Sequence, residues 1–266
     1  MPAPPATLES TVAPDRMGVF IDRQAYLPEI DPRPVDFRAH CGPDRIQQWS
    51  TKACVAFAFC RAMQVWAKIH RAGEAWENPS PLFLWTVARQ VYAPADPWRN
   101  IAVSLESAVS VVEQLGVPAE SDWPWRLQAI HEEPSLAVLQ RAFVHTAPGF
   151  ARPIRKTGAA RVAAVHAALQ AGLPVVFSCG MRNAWIAYSM LNPLRHGRLD
   201  GHVDKPDFFH AMVIVGYDMS QHAFIVENWF GSAWGYRGFG YLSPGIIADG
   251  PSHGFWVVSN APAWSR

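Results

Sequence analysis

The chain has 266 residues, half of them hydrophobic and 17% charged, with a formal net charge of +1 and a pI near 7.8. Such a chain can bury a large core, as one large domain or as two small ones sharing a cleft. The near-neutral balance leaves no broad basic surface for nucleic acid or an anionic membrane, and no apolar run approaches the roughly 20 residues that span a bilayer.

Residues 1–34 hold seven of the 23 prolines and no sustained helical period, so they are expected to form an extension, disordered over 1–14 and lying on the protein body farther on. Residues 1–10 have neither a basic start nor an apolar signal core, which argues for a cytoplasmic protein without a cleaved signal; signal-independent secretion stays open. A folded region begins at Val35-Asp36-Phe37-Arg38. The polar loop Gln48-Trp49-Ser50-Thr51-Lys52-Ala53 then runs into Cys54, followed by Val55, Phe57, Ala58, Met63, Val65, Trp66 and Ile69. That pattern predicts a helix over 54–71 with Ser50 or Thr51 as its cap. Cys54 falls in its first turn, where unpaired N–H groups and the positive helix end favour a thiolate; it is a candidate nucleophile or a small packed residue.

Asn78-Pro79-Ser80-Pro81 signals a turn and a cap before an apolar helix over 82–89. A third helix is expected over 104–115, with Leu105, Ala108, Val109, Val112 and Leu115 on one side and Gly116 closing it. Trp123-Pro124-Trp125 reads as an aromatic turn, and 126–158 as a mixed stretch broken by Pro134, Pro148 and Pro153. A helix over 159–171 ends at Gly172, ahead of a buried strand over 173–178. Short β-rich runs follow at 211–217, 222–228, 238–242 and 254–258. A helical half followed by an antiparallel β half argues for an α+β fold with a cleft between them. The expected organisation is an extension over 1–34, a mainly helical lobe over 35–135 and a mainly β lobe over 136–266.

The cysteines Cys41, Cys54, Cys60 and Cys179 are scattered, without the close spacing of a zinc site. They are expected as free thiols, with Cys60 and Cys179 filling core space, and no metal or organic cofactor is implied. A thiolate nucleophile needs a base, a group that orients the base, and donors for the oxyanion. His210 stands at the strand over 211–217 and Asn228 ends the next, so a hairpin brings the two together. Gln48, in the loop before Cys54, offers an amide donor beside the Cys54 N–H, with Gln47 as the alternative if the loop register differs.

These residues resemble the papain-like cysteine peptidases. That family has a Gln six residues before its nucleophile, as Gln48 is to Cys54, and a His-Ala…Val-Gly-Tyr strand, here His210-Ala211-Met212-Val213-Ile214-Val215-Gly216-Tyr217. Its Asn-Ser-Trp-Gly…Trp-Gly segment corresponds to Asn228-Trp229-Phe230-Gly231-Ser232-Ala233-Trp234-Gly235, and Val35-Asp36-Phe37-Arg38 is similar to its Val-Asp-Trp-Arg motif. The resemblance, which runs to about Trp256, implies a two-lobed fold with a β-barrel-like second lobe. It also implies a thiol protease, a hydrolase acting through a Cys54-His210-Asn228 catalytic triad with Gln48 at the oxyanion, proteolysis of a peptide or protein substrate, and a monomer. The resting pair is expected to be thiolate and imidazolium. Phe230 stands where the family shields its His–Asn pair with Trp, and Trp234 where a second Trp supports that loop. Lys52 replaces a subsite glycine and Phe209 is expected to narrow the second subsite, so that Lys52, Phe209, Phe230 and Trp234 are the candidate substrate-binding residues.

The departures are specific. Thr51-Lys52-Ala53-Cys54-Val55 replaces the Cys-Gly-Ser-Cys-Trp box, which removes a disulfide cysteine, and Asp96-Pro97-Trp98-Arg99-Asn100-Ile101 lacks the glycines that pair with substrate backbone. Residues 1–34 are too few to form the family's long helical pro-segment, and residues 15–34 are expected to lie across or beside the cleft as a strap, making the chain's own N-terminal segment a cleft ligand. Two other readings share these residues. One is a catalytically impaired peptide-binding protein on the same fold. The other is a Cys-His acyltransferase or deamidating effector, a class that usually orients its base with Asp where this chain has Asn228.

Overall fold

The computed structural model describes residues 33–42, 47–74, 77–92, 94–95, 98–183, 198–199, 205–248 and 252–262. The expected extension and strap lie outside the described residues through residue 32, as do Asp96 and Pro97. Helix α1 (Cys54–His70) is central, and its residues from Cys54 through Val65 are all buried. A helix covered all round belongs to a core rather than a surface. It packs on α2 (Pro81–Tyr92) and α3 (Leu105–Gln114) on one side and on the sheet on the other. Each large apolar side chain that α1 buries, such as Phe57, Phe59 or Met63, contributes about 1.5–3 kcal/mol.

Neither Ser50 nor Thr51 caps α1. The N-cap is Ala53, with no side-chain bond, because the Thr51 hydroxyl turns back to donate to Gln48 O at 2.5 Å. The α2 and α3 boundaries match their signals. Ser80 Oγ accepts from Phe83 N at 3.1 Å, Ser104 accepts from Ser107 N, and Gly116 takes φ 76° after α3. The mixed stretch contains a helix that its prolines disguised, α4 (Leu136–Phe143), capped by Ser135. A Cβ at Gly116 would stand 1.9 Å from Ala142 O, so that glycine is required for α4 to sit against the end of α3.

Helix α5 (Gly158–Gln170) and the short α6 (Pro244–Ala248) flank an eight-stranded sheet. The strands are β1 (Val35–Asp36), β2 (Ala151–Pro153), β3 (Val175–Met181), β4 (Arg198–Leu199), β5 (Phe208–Asp218), β6 (Ala223–Glu227), β7 (Phe239–Leu242) and β8 (Ser252–Val258). Their order is β2-β8-β3-β5-β6-β7-β4, with β1 also on β5. All pairs are antiparallel except β4 with β7. In β5 the residues from His210 to Tyr217 are buried without alternation, as expected of a strand covered on both faces, here with α1 and α5 packed against it. Gly216 is needed where β1 crosses, since a Cβ there would lie 2.4 Å from Val35 O. The β5–β6 register shifts between Ile214 and Gly216, and Val215 O in that bulge accepts from Phe37 N at 2.8 Å.

Candidate active site

Cys54 is the first residue of α1 and only 7% exposed. Because no side chain caps the helix, first-turn donors remain for the thiol. The backbone N–H groups of Ala211, Val55 and Cys54 itself, with the Lys52 charge, favour the thiolate, but burial outweighs them and raises the Cys54 pKa.

His210 lies within β5, at its third residue, rather than before it as the sequence suggested. Asn228 follows β6 directly, and the β5–β6 hairpin brings the two side chains together, with His210 Nε2 2.7 Å from Asn228 Oδ1. The Trp229 backbone N–H donates to the same oxygen at 2.6 Å. An N–H can only donate, so the amide presents oxygen to the imidazole, and the facing Nε2 must carry a proton. In the neutral ring this leaves Nδ1 as the lone-pair nitrogen. Phe230 stacks on His210 with centroids 4.6 Å apart and an interplanar angle of 21°. Burial lowers the His210 pKa to about 4; the Asn228 bond raises it and the Lys52 charge lowers it further. Burial thus disfavours the charged form of both groups.

Gln48 is buried. Its Nε2 donates to Thr51 O at 2.9 Å, leaving its second amide hydrogen for another acceptor, and its backbone N–H donates to Trp229 O at 3.1 Å. The neighbouring Gln47 is directed elsewhere. Its side chain fills the space over Gly231, where a Cβ would lie 2.1 Å from Gln47 Nε2.

The four expected substrate-binding residues divide. Phe209 is 56% exposed and lines a cavity of about 250 Å³ beside Cys54. Lys52 is exposed, and Phe230 is half-buried over His210. Trp234 is fully buried and packs edge-on behind Phe230 at 6.3 Å, so it supports the shielding ring and has no face open to a substrate.

Two residues escaped the sequence analysis. Trp229 is buried against α1, stacked on Phe57 at 6.0 Å, and its Nε1 donates to Ala211 O at 3.0 Å. With its backbone bonds to Asn228 and Gln48, it joins all three walls of the site; a Trp in place of the usual Ser beside Asn228 was the available signal. Asn100 bridges the loop before Cys54, accepting from Lys52 N at 2.8 Å and donating to Ser50 O at 3.0 Å. The loop carrying Asn100 is itself held by α2, through Trp85 Nε1 to Ile101 O at 3.0 Å and Arg89 to Arg99 O at 3.2 Å. The amide thus makes a noncovalent tie in a chain that lacks a disulfide cysteine in this loop. None of the four cysteines forms a disulfide, and all four are buried.

The cavity is lined by Cys54 and Val55 of α1, Val103 and the first turn of α3, and Phe209 and Ala211 of β5. Among the described residues no group of acidic, His and Cys side chains is arranged to hold a metal.

Comparison with solved structures identifies the fold as papain-like. Xylellain, a cysteine protease from Xylella fastidiosa, matches with a TM-score of 0.70 and 20% identity over 86% of each chain. The Carica candamarcensis cysteine protease solved in complex with E-64 matches with a TM-score of 0.60 and 17% identity, over 89% of this chain and all of that one. In sequence, the chain is 23% identical over 223 residues to an uncharacterized peptidase C1-like protein of Acanthamoeba polyphaga mimivirus, covering 80% of this chain and 68% of that protein. No family model matches the chain.

Proposed function

We propose that the protein is a cysteine peptidase that hydrolyses peptide bonds with Cys54, His210, Asn228 and Gln48. The observation that carries this reading is the 2.7 Å contact between His210 Nε2 and Asn228 Oδ1, on the residue next to Ala211, which lines the same cavity as Cys54. A substrate carbonyl entering the cavity is attacked by Cys54 Sγ as the thiol proton passes to His210 Nδ1, forming the C–S bond and an oxyanion. The Cys54 N–H and the second Gln48 amide hydrogen stabilise that oxyanion. Collapse expels the amine, which takes the proton from His210, and leaves a thioester. Water, deprotonated by His210, then attacks the thioester and releases the acid and the free thiol. Asn228 holds the imidazole and stabilises its charged form. In this reading residues 35–135 and 136–266 are the two lobes, a peptide segment binds between them, and the protein acts as a monomer. The described residues include no helix long and apolar enough to cross a membrane.

One observation favours the alternative of a non-catalytic peptide-binding protein, namely that burial pushes Cys54 toward the unreactive thiol. Treatment of the full-length protein and Cys54→Ala with a broad epoxide inhibitor of cysteine peptidases, followed by mass measurement and assay on fluorogenic dipeptides, separates the two. A single adduct absent from Cys54→Ala, together with hydrolysis, is expected. A Cys54 no more reactive than Cys60, with no hydrolysis, would overturn the peptidase reading.

A further inference from the structure

We infer that the cavity beside Cys54 selects a basic substrate side chain, arginine or lysine, close to the scissile bond, and that Glu106 is the residue that reads its charge; this rests on the peptidase reading. The cavity measures about 250 Å³, several times the roughly 30 Å³ share of one water and below the roughly 300–1,000 Å³ of pockets that enclose whole small molecules. It is sized for one large side chain. Because Cys54, Val55 and Ala211 form part of its lining, that side chain belongs to a residue next to the attacked carbonyl or one removed from it.

The lining is apolar around the thiol, with Val55, Val103, Leu105 and Ala211, and exposed Phe209 contributes an aromatic ring. Among the described residues that line it, Glu106 is the one charged side chain. It is exposed, so its carboxylate belongs to the mouth rather than the floor. Glu106 is not needed to cap α3, since Ser104 already accepts from Ser107 N at 3.0 Å. Arg126, Arg141 and Arg38 pair with other carboxylates, and among the described residues no hydrogen bond or ion pair engages Glu106.

An apolar shaft with a carboxylate at its mouth fits a side chain that is itself apolar along its stem and positive at its tip. Lysine and arginine bury their methylene stems and keep the charged head near water. Leucine would gain only the shaft, and glutamate would meet a like charge at the mouth.

The test compares kcat/KM on a peptide series scanning the two residues on either side of the scissile bond, with arginine against its uncharged isostere citrulline and lysine against norleucine. At one of these positions the wild type is expected to prefer each cation about fivefold, the effect of a partly exposed ion pair. Glu106→Gln should abolish that ratio and Glu106→Lys should invert it, with thermal unfolding confirming that both variants fold. In parallel, the rates at which dipeptidyl fluoromethylketones carrying arginine or citrulline alkylate Cys54 are measured by mass. Hydrolysis that shows no cation preference, or a preference unchanged in Glu106→Gln, overturns the inference and leaves the peptidase intact. Alkylation with a Glu106-dependent arginine preference but no hydrolysis upholds the pocket and overturns the peptidase reading. Neither hydrolysis nor alkylation overturns both.

Discussion

The buried ion pair behind the site offers a severe test of how it is held together. Arg61 lies seven residues, or two turns, beyond Cys54 on α1, and Glu227 is the residue before Asn228. Arg61 Nε stands 3.0 Å from Glu227 Oε2, with the side chains 9% and 1% exposed, and Arg61 also reaches Cys41 O and Gln64 Oε1. The pair therefore fastens α1, which carries Cys54, to β6, which leads into Asn228. Coulomb attraction at this distance is about 5 kcal/mol for an effective dielectric of about 20, and desolvation of the two ions offsets most of it. Removing one partner leaves the other charge buried without its counter-ion, so Arg61→Met and Glu227→Leu should each destabilise by about 3–5 kcal/mol. That is at least about a fifth of the roughly 5–15 kcal/mol typical of a folded protein. The double variant replaces both charges with apolar groups and should lie within about 2 kcal/mol of wild type. Urea unfolding followed by tryptophan fluorescence completes the cycle. Single losses below about 1 kcal/mol that simply add in the double variant would refute the clamp.

Lys52→Gln removes a cation that lowers the pKa of both Cys54 and His210, so both limbs of the kcat/KM profile against pH should move to higher pH; movement of one limb alone would contradict the shared field. Asn100→Ala cuts both bonds to the loop before Cys54 and, on the proposed function, should lower kcat about tenfold through misplacement of the Cys54 thiol and the Gln48 amide. Asn100→Asp keeps the acceptor for Lys52 N and loses the donor to Ser50 O, so its kcat should fall between the two. Burial raises the Glu120 carboxyl from 4.5 to about 7, against the bond from Trp125 N, which lowers it. The folded state then holds more protons than the unfolded one between these values, and stability falls as pH rises through that window. Glu120→Gln should flatten this fall and stabilise the protein at pH 8 by up to about 3 kcal/mol, measured by urea unfolding at pH 4, 6 and 8.

The elements legible in the chain were those with local causes. The period of α1, the Ser80 and Ser104 caps, and the glycines at 116 and 172 that end helices in positive φ all act through neighbours in sequence. Helix α4 was hidden because its flanking prolines resemble breaks, while the contact that holds it, Gly116 against Ala142, joins residues 26 positions apart. The Ser50 and Thr51 caps failed for a local reason instead, since the preceding turn offered the Thr51 hydroxyl an acceptor at Gln48 O three residues back and the helix takes Ala53, two residues later, as its N-cap.

By itself the sequence determined which side chains could do the chemistry, because the order of Cys54, His210 and Asn228 and the hairpin between the last two constrain their pairing. Only the tertiary structure decided how they stand there. It set the Nε2 proton of His210 through an oxygen that Trp229 also engages, buried Trp234 behind Phe230, and put Asn100 across the loop before Cys54. It also fixed how far Cys54 and His210 are desolvated, since solvation depends on everything packed around a group. Helix periods, caps and turns are short-range terms carried by consecutive residues, whereas desolvation and hydrogen bonds between distant segments exist only once folding has chosen the neighbours.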